Sequence, residues 1–153
     1  RLRAATGVPV TTALESSTAA LRAMSAERAL VLTPFDESMN ALVGEYLASA
    51  GIDAVFPKTA IGSVPRAVAL SADEVYDLAK GALMAASGVE AIYFQGARLN
   101  PLGCLERMET DFSVPVVASN PAMLWNLLSL LGERRPSGVG GRLLREWPAA
   151  GRA

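Results

Sequence analysis

The stretch Ala91-Ile92-Tyr93-Phe94-Gln95-Gly96 is the clearest local signal of the fold. Four apolar residues in a row, two of them aromatic, are typical of a buried strand, and the glutamine and glycine that follow predict a turn at its carboxyl end. Helices are predicted on both sides of this strand, over residues 71–87 and 101–111. Ser71 and Glu74 have the spacing of a capping box at the start of the first helix. The stretch therefore predicts an α/β unit.

The same alternation extends over most of the chain. Strands are predicted over residues 8–12, 28–32, 52–56, 91–94 and 114–118, and further helices over 14–24, 37–50 and 121–131. Residues 57–68 are predicted to form a loop, and the segment after Gly132 an irregular tail. The alternation predicts an α/β fold with a parallel sheet and helices on both faces. Ligands bind outside the carboxyl ends of such strands, so a site is expected where residues 11–12, 33–36, 58–66, 95–100 and 119–121 meet.

Composition argues against several classes of function. Hydrophobic residues make up 51% of the chain and charged residues 19%, which predicts a packed core. The net charge is −1 and the 14 basic residues are scattered, so no nucleic-acid partner is expected. The sequence contains neither an apolar run of membrane-spanning length nor a secretory leader, so we expect a cytoplasmic protein without a membrane partner.

The chain has one cysteine, Cys104, and no histidine. An internal disulfide, Ser-His and Cys-His nucleophile pairs and most zinc sites are therefore excluded, and no metal is expected. Acid–base chemistry would have to use carboxylates, lysine, tyrosine, the cysteine or a group outside the chain. Cys104 is predicted to be a core residue, with a displaced catalytic thiol as the alternative.

Two features indicate that the sequence is part of a duplicated protein. Val8-Pro9-Val10 and Val114-Pro115-Val116 each open a predicted strand that is followed by a helix. This echo predicts two duplicated α/β halves, although Val-Pro-Val is also a common strand opening. The chain starts without methionine, in what is predicted to be the last turn of a helix that ends at Gly7. We therefore expect sequence before Arg1, and we expect residues 1–153 not to fold alone.

Five blocks resemble the arylmalonate decarboxylase and maleate isomerase group of the aspartate/glutamate racemase superfamily. They are residues 6–12, 32–35 with Asn40, 91–96, 114–122 with Trp125, and 138–143. The resemblance implies two pseudo-symmetric α/β domains that face each other across a cleft. Residues 1–27 would end an incomplete first domain, and residues 28–113 would form the second. Residues 114–153 would supply a closing strand, a helix and a segment that packs back on the first domain.

The resemblance implies a cofactor-free isomerase, racemase or decarboxylase. Its substrate would be a small carboxylic or dicarboxylic acid, and the reaction would pass through an enolate-like intermediate. Family members place a cysteine at a strand end in each half. Gly96 aligns with the second cysteine, and Phe35 stands where the isomerases have a tyrosine. The alternatives are a non-catalytic ligand-binding paralogue and an enzyme that uses other acid–base groups. The sequence does not decide whether the protein forms a homo-oligomer.

The predicted site centres on the backbone amides of Gly96 and Ala97, which are expected to stabilise an oxyanion. The alternative is that Gly96 only relieves steric crowding at the corner between the strand and the following helix. The predicted substrate-binding residues are Thr33, Phe35, Arg66, Gln95, Arg98 and Asn120. Solvated surface charge is the alternative for the two arginines, and helix capping is the alternative for Thr33, Gln95 and Asn120. The glycine run at 138–141 is not predicted to bind a nucleotide, because no strand precedes it and no clear helix signal follows it.

Overall fold

The computed structural model describes residues 7–58, 61 and 63–150. The four strands are β1 (Arg28–Leu32), β2 (Asp53–Val55), β3 (Ala91–Phe94) and β4 (Val116–Ala118). The seven helices in this part of the chain are α1 (Ala13–Ala23), α2 (Glu37–Ser49), α3 (Val64–Ala69), α4 (Ala72–Met84), α5 (Leu105–Phe112), α6 (Ser119–Leu130) and α7 (Gly141–Glu146).

The four strands form one parallel sheet in the order β2-β1-β3-β4. Leu30 is in register with Val55 on one side and with Ile92 on the other. β4 is paired with β3, so the strand at the start of the 114–153 segment extends the sheet of the 28–113 segment. The predicted α/β class with a parallel sheet is confirmed, and the division of the chain into two domains stays a prediction.

Helices cover both faces of the sheet because successive strand residues point to opposite sides. Val31 and Tyr93 belong to one core, which packs against α1, α2, α6 and α7. Leu30, Ile92 and Phe94 belong to the other core, against α3, α4 and α5. All five side chains are fully buried. The sheet is thus a rigid base from which the loops at its carboxyl edge project. No helix in the described part of the chain combines the length and apolarity needed to cross a bilayer.

The strand predicted over residues 8–12 is wrong, because no strand forms there and the hydroxyl groups serve α1 instead. The Thr12 side chain accepts a hydrogen bond from the Glu15 amide at 3.1 Å and is the N-cap of the helix. The Thr11 hydroxyl lies 3.0 Å from that of Ser16 and accepts a hydrogen bond from the Asn126 side chain. A capping interaction therefore prevails over the β-branched pattern.

The other differences concern short helices and helix ends. The segment predicted as a loop over 57–68 contains most of α3, whose N-cap Ser63 is followed by Pro65 in the first turn. The helix predicted to start at Pro101 begins at Leu105, because the Cys104 amide donates to the Pro101 carbonyl and closes a turn first. α4 ends at Met84, short of the predicted end at residue 87. Its predicted capping box, Ser71 with Glu74, is confirmed.

The tail predicted to be irregular contains α7, and carboxylates of α5 hold its start. The amides of Gly140 and Gly141 donate to Glu106 Oε1 at 2.9 and 3.1 Å. The Arg142 amide donates to Glu109 Oε2 at 2.8 Å. A phosphate bound at the glycine run would need these same amides as donors. In this structure the amides already donate to carboxylates of the protein itself. That the run binds no nucleotide stays a prediction, and α7 follows the run although no clear helix signal was found there.

Candidate functional site

The carboxyl ends of β1, β3 and β4 meet at one edge of the sheet. Phe35 follows β1, Gly96 follows β3, and Ser119 begins α6 directly after β4. A β-carbon on Gly96 would lie 3.3 Å from Phe35 Cζ and 3.3 Å from Pro34 Cδ. The Gly96 amide donates to Ser119 Oγ at 3.3 Å. The segments after three strands, all predicted from the sequence to carry site residues, are therefore in contact.

The turn after β3 directs its two predicted oxyanion donors differently. Gly96 has φ +99°, a conformation that favours glycine, and its amide points at the buried Ser119 hydroxyl. Ala97 is exposed, and among the hydrogen bonds of the described residues none uses its amide. The Gly96 amide thus has a partner within the protein. The Ala97 amide has no such partner among the described residues.

Ser119 links the turn to the interior, and sequence reasoning did not give it this role. Its hydroxyl has two acceptors within reach, the Phe94 carbonyl at 3.2 Å and Gln95 Oε1 at 3.1 Å. Gln95 Oε1 also accepts a hydrogen bond from the Tyr93 hydroxyl. Burial raises the pKa of Tyr93 to about 12, so this phenol stays neutral and keeps its donor hydrogen. The Gln95 side-chain oxygen is therefore held by two hydroxyl groups of the protein, and the side chain does not cap a helix.

Thr33 is 6% exposed and holds the loop after β1. Its hydroxyl donates to Asn40 Oδ1 and accepts from the Phe35 amide at 3.2 Å. The N-cap of α2 is Asp36, so the capping alternative for Thr33 is wrong. Hydrogen bonds from the Met39 amide and the Ser38 hydroxyl lower the pKa of Asp36. Thr33 therefore stabilises the loop that carries Phe35.

Asn120 lies beside the turn, in the first turn of α6. It is exposed and lines a concavity of about 10 Å³ together with Gly96 and Ala97. The N-cap of α6 is Ala118, so the capping alternative for Asn120 is also wrong. This space holds about one water molecule. In the described part of the chain, the turn thus has a small concave neighbourhood that is open to solvent.

The two arginines of the predicted site lie in different places. Arg98 is exposed in the turn after β3. Arg66 in α3 lines a separate cavity of about 720 Å³ between β2 and α4, with Lys58 and Asp77. None of the residues that line this cavity lines the concavity at Gly96. The structure thus brings Arg98, but not Arg66, to the turn at Gly96.

Cys104 agrees with the prediction of a core residue. It is 4% exposed, and its thiol lies 3.4 Å from the Pro101 carbonyl as a weak hydrogen-bond donor. Burial raises the pKa of this thiol, which disfavours the reactive thiolate. The residue packs in the core under α4 and α5.

Comparisons with known proteins place these features in a family. The model of the arylmalonate decarboxylase family matches residues 1–144. The arylmalonate decarboxylase of Bordetella bronchiseptica is 28% identical over 147 residues, which are 95% of this chain and 61% of that protein. A crystal structure of arylmalonate decarboxylase has a TM-score of 0.82 at 27% identity, with 95% of this chain and 64% of that chain covered.

Maleate isomerase from Pseudomonas putida S16 shares the fold. Its TM-score is 0.80 at 22% identity, with 91% of this chain and 56% of that chain covered. The chain spans less than two thirds of the length of each of these relatives. The resemblance predicted from the sequence is confirmed: the chain belongs to the arylmalonate decarboxylase family.

Proposed function

We propose that the protein is a cofactor-independent decarboxylase or isomerase that acts on a small carboxylic or dicarboxylic acid through an enolate-like intermediate. Membership of the arylmalonate decarboxylase family carries this proposal. The relatives named above are a decarboxylase and an isomerase. The turn after β3 supports it, because the exposed residues Ala97 and Arg98 lie together at the carboxyl edge of a parallel sheet, and the Ala97 amide has no partner among the described residues.

The proposed reaction needs a group that stabilises negative charge on oxygen. In a decarboxylation the bond from the α-carbon to one carboxylate breaks, and carbon dioxide leaves. The electron pair is delocalised into the remaining carboxylate as an enediolate, and a proton then adds to the α-carbon. The Ala97 amide would donate to one enediolate oxygen, and Arg98 would bind a carboxylate through its planar guanidinium.

We assign proton transfer to a group outside the strand ends described above. Gly96 has no side chain, and the hydroxyls of Thr33 and Ser119 are engaged within the protein. The single cysteine is buried in the core. This chain would therefore bind and stabilise the intermediate, while the acid that protonates it would face the same cleft from elsewhere in the full-length protein.

The test is turnover by the full-length protein. Phenylmalonate and maleate are incubated separately, and phenylacetate or fumarate is followed by proton NMR. With an active substrate, Arg98→Ala should lower kcat/KM about tenfold to a hundredfold, the loss expected for one charged hydrogen-bonding group. Arg135→Ala is the matched control, because Arg135 is exposed and paired with Glu133 away from the turn. Product from neither substrate would count against the proposal.

A second candidate is a non-catalytic binding protein. It is favoured by the absence of a side chain at Gly96, and by the Phe35 ring, which has no hydroxyl and fills the adjoining space. Saturable binding of maleate or phenylmalonate without product would support this candidate. Titration calorimetry on the same protein preparation separates the two functions.

A further inference from the structure

The inference concerns the two consecutive amides of the turn after β3. Successive N–H groups in such a turn can converge on one anion. Here the Gly96 amide is directed 3.3 Å to Ser119 Oγ, behind the turn, whereas the next amide belongs to the exposed Ala97. The pair is thus split: the Gly96 amide has a partner inside the protein, and among the described residues the Ala97 amide has none.

Ser119 is held firmly enough to impose this split. It is 4% exposed. A rotation of its side chain would break the hydrogen bonds to β3 and to the turn. A hydroxyl offers one hydrogen and two lone pairs. Ser119 uses a lone pair for the Gly96 amide and its hydrogen for either the Phe94 carbonyl or Gln95 Oε1. Its hydroxyl therefore joins the end of β3, the turn and the start of α6.

We propose that Ser119 is a positioning residue for the anion site: its hydroxyl holds the Gly96 amide inward, so that Ala97 supplies the main-chain donor of this turn to a carboxylate. The proposal rests on the proposed function, because it assumes that the turn faces the ligand. Without the hydroxyl, the Gly96 amide loses its acceptor. The turn is then free to rotate, and the Ala97 amide loses its fixed direction.

The test uses malonate as the probe and the full-length protein. Titration calorimetry gives the affinity for the wild type and for Ser119→Ala, Ser119→Thr and Thr18→Val. Two-dimensional NMR of protein labelled with ¹⁵N-glycine follows the Gly96 amide, which the loss of its signal in a Gly96→Ala variant assigns. Thr18→Val is the matched control, because it removes a buried hydroxyl that donates to the Leu14 carbonyl at 2.8 Å on α1.

Ser119→Ala should weaken malonate binding about tenfold and move the Gly96 amide proton upfield, as expected when one hydrogen bond is lost. Ser119→Thr keeps the hydroxyl and should restore both values, and Thr18→Val should change neither. An unshifted Gly96 amide in Ser119→Ala, or an affinity equal to or above that of the wild type, would overturn the proposal.

The outcomes for Ser119 and for catalysis are distinguishable. If the wild type turns over no substrate but binds malonate, and Ser119→Ala loses that binding, the positioning role stands and only the catalytic assignment fails. If the wild type shows no saturable malonate binding, the positioning role is overturned as well.

Discussion

The phenyl ring of Phe35 lies against the backbone of Gly96, with its Cζ 3.3 Å from the point that a β-carbon on Gly96 would occupy. Pro34 Cδ is 3.3 Å from the same point. The resemblance predicts that Phe35 stands where the isomerases have a tyrosine and that Gly96 stands where family members have their second cysteine. These two positions are thus adjacent in space, because the Phe35 ring occupies the room beside Gly96, which has no side chain.

Gly96→Ala should lower the free energy of unfolding by roughly 1–3 kcal/mol, because the added methyl meets the ring and φ +99° disfavours a side chain. Urea denaturation measures the change.

Gly81→Ala is a control for which the opposite sign is expected. Gly81 lies inside α4, and nothing lies within 4 Å of its β-carbon position. Alanine at this position should therefore raise the free energy of unfolding by about 0.5–1 kcal/mol. In a Phe35→Ala background, Gly96→Ala should cost less, because only the φ penalty and the Pro34 contact remain. An unchanged cost would refute the coupling.

Gly141→Ala should destabilise the protein by about 2–4 kcal/mol, the range of overpacking combined with backbone strain. Its β-carbon would overlap Leu105 Cδ2 and lie 3.0 Å from Glu109 Oε2, and its φ is +76°. Gly138→Ala is the matched control in the same glycine run, since nothing lies within 4 Å of its β-carbon position. Thermal unfolding of the two variants should give a clear loss for the first and almost none for the second. Equal losses would show that α7 is not docked on α5 as described.

Glu109 should make stability depend on pH with a defined sign. Burial raises the pKa of this carboxyl, and hydrogen bonds from the Val116 and Arg142 amides oppose the rise only in part. The folded state therefore holds the proton to higher pH than the unfolded state. The associated stability is fully present below the ordinary pKa and is lost as pH rises through the raised pKa.

Urea midpoints of the wild type and Glu109→Gln, measured from pH 4 to pH 7, check this prediction. The stability of the wild type relative to Glu109→Gln should fall as the pH rises, because glutamine does not titrate. A relative stability of the wild type that rises with pH would have the wrong sign.

Cys104 should react slowly in the folded protein. Its thiol is buried, so a reagent has little access to it. Burial also raises the pKa of the thiol, so only a small fraction is present as the reactive thiolate. Iodoacetamide labelling, located by peptide mass spectrometry, should be weak in buffer and complete in urea. If the protein is active, Cys104→Ala should leave kcat unchanged and lower only stability. Rapid native labelling together with lost turnover would instead identify a working thiol.

The fold class could be predicted from local sequence because its signals are local. The apolar runs at 29–32 and 91–94 are buried in strands, and the Ser71–Glu74 spacing is a capping box. Alternation of strands with helices then predicts parallel pairing and places the site at one edge of the sheet. These features depend on residues a few positions apart, and the structure confirms the strands and their parallel pairing.

Tertiary contacts decided the rest. The short helix α7 begins at the point where two carboxylates of α5 accept hydrogen bonds from its first amides. These carboxylates lie more than thirty residues earlier in the chain. Residues 8–12 form no strand because their hydroxyls serve α1 and Asn126. The direction of the Gly96 amide depends on a hydroxyl 23 residues later in the chain. Such interactions join groups that are distant in sequence, and no local pattern encodes their distance or orientation. The sequence by itself thus determined the α/β class, the four strands of the sheet and the edge at which a site is expected. Only packing decided where the short helices form and which amide of the turn has a partner inside the protein.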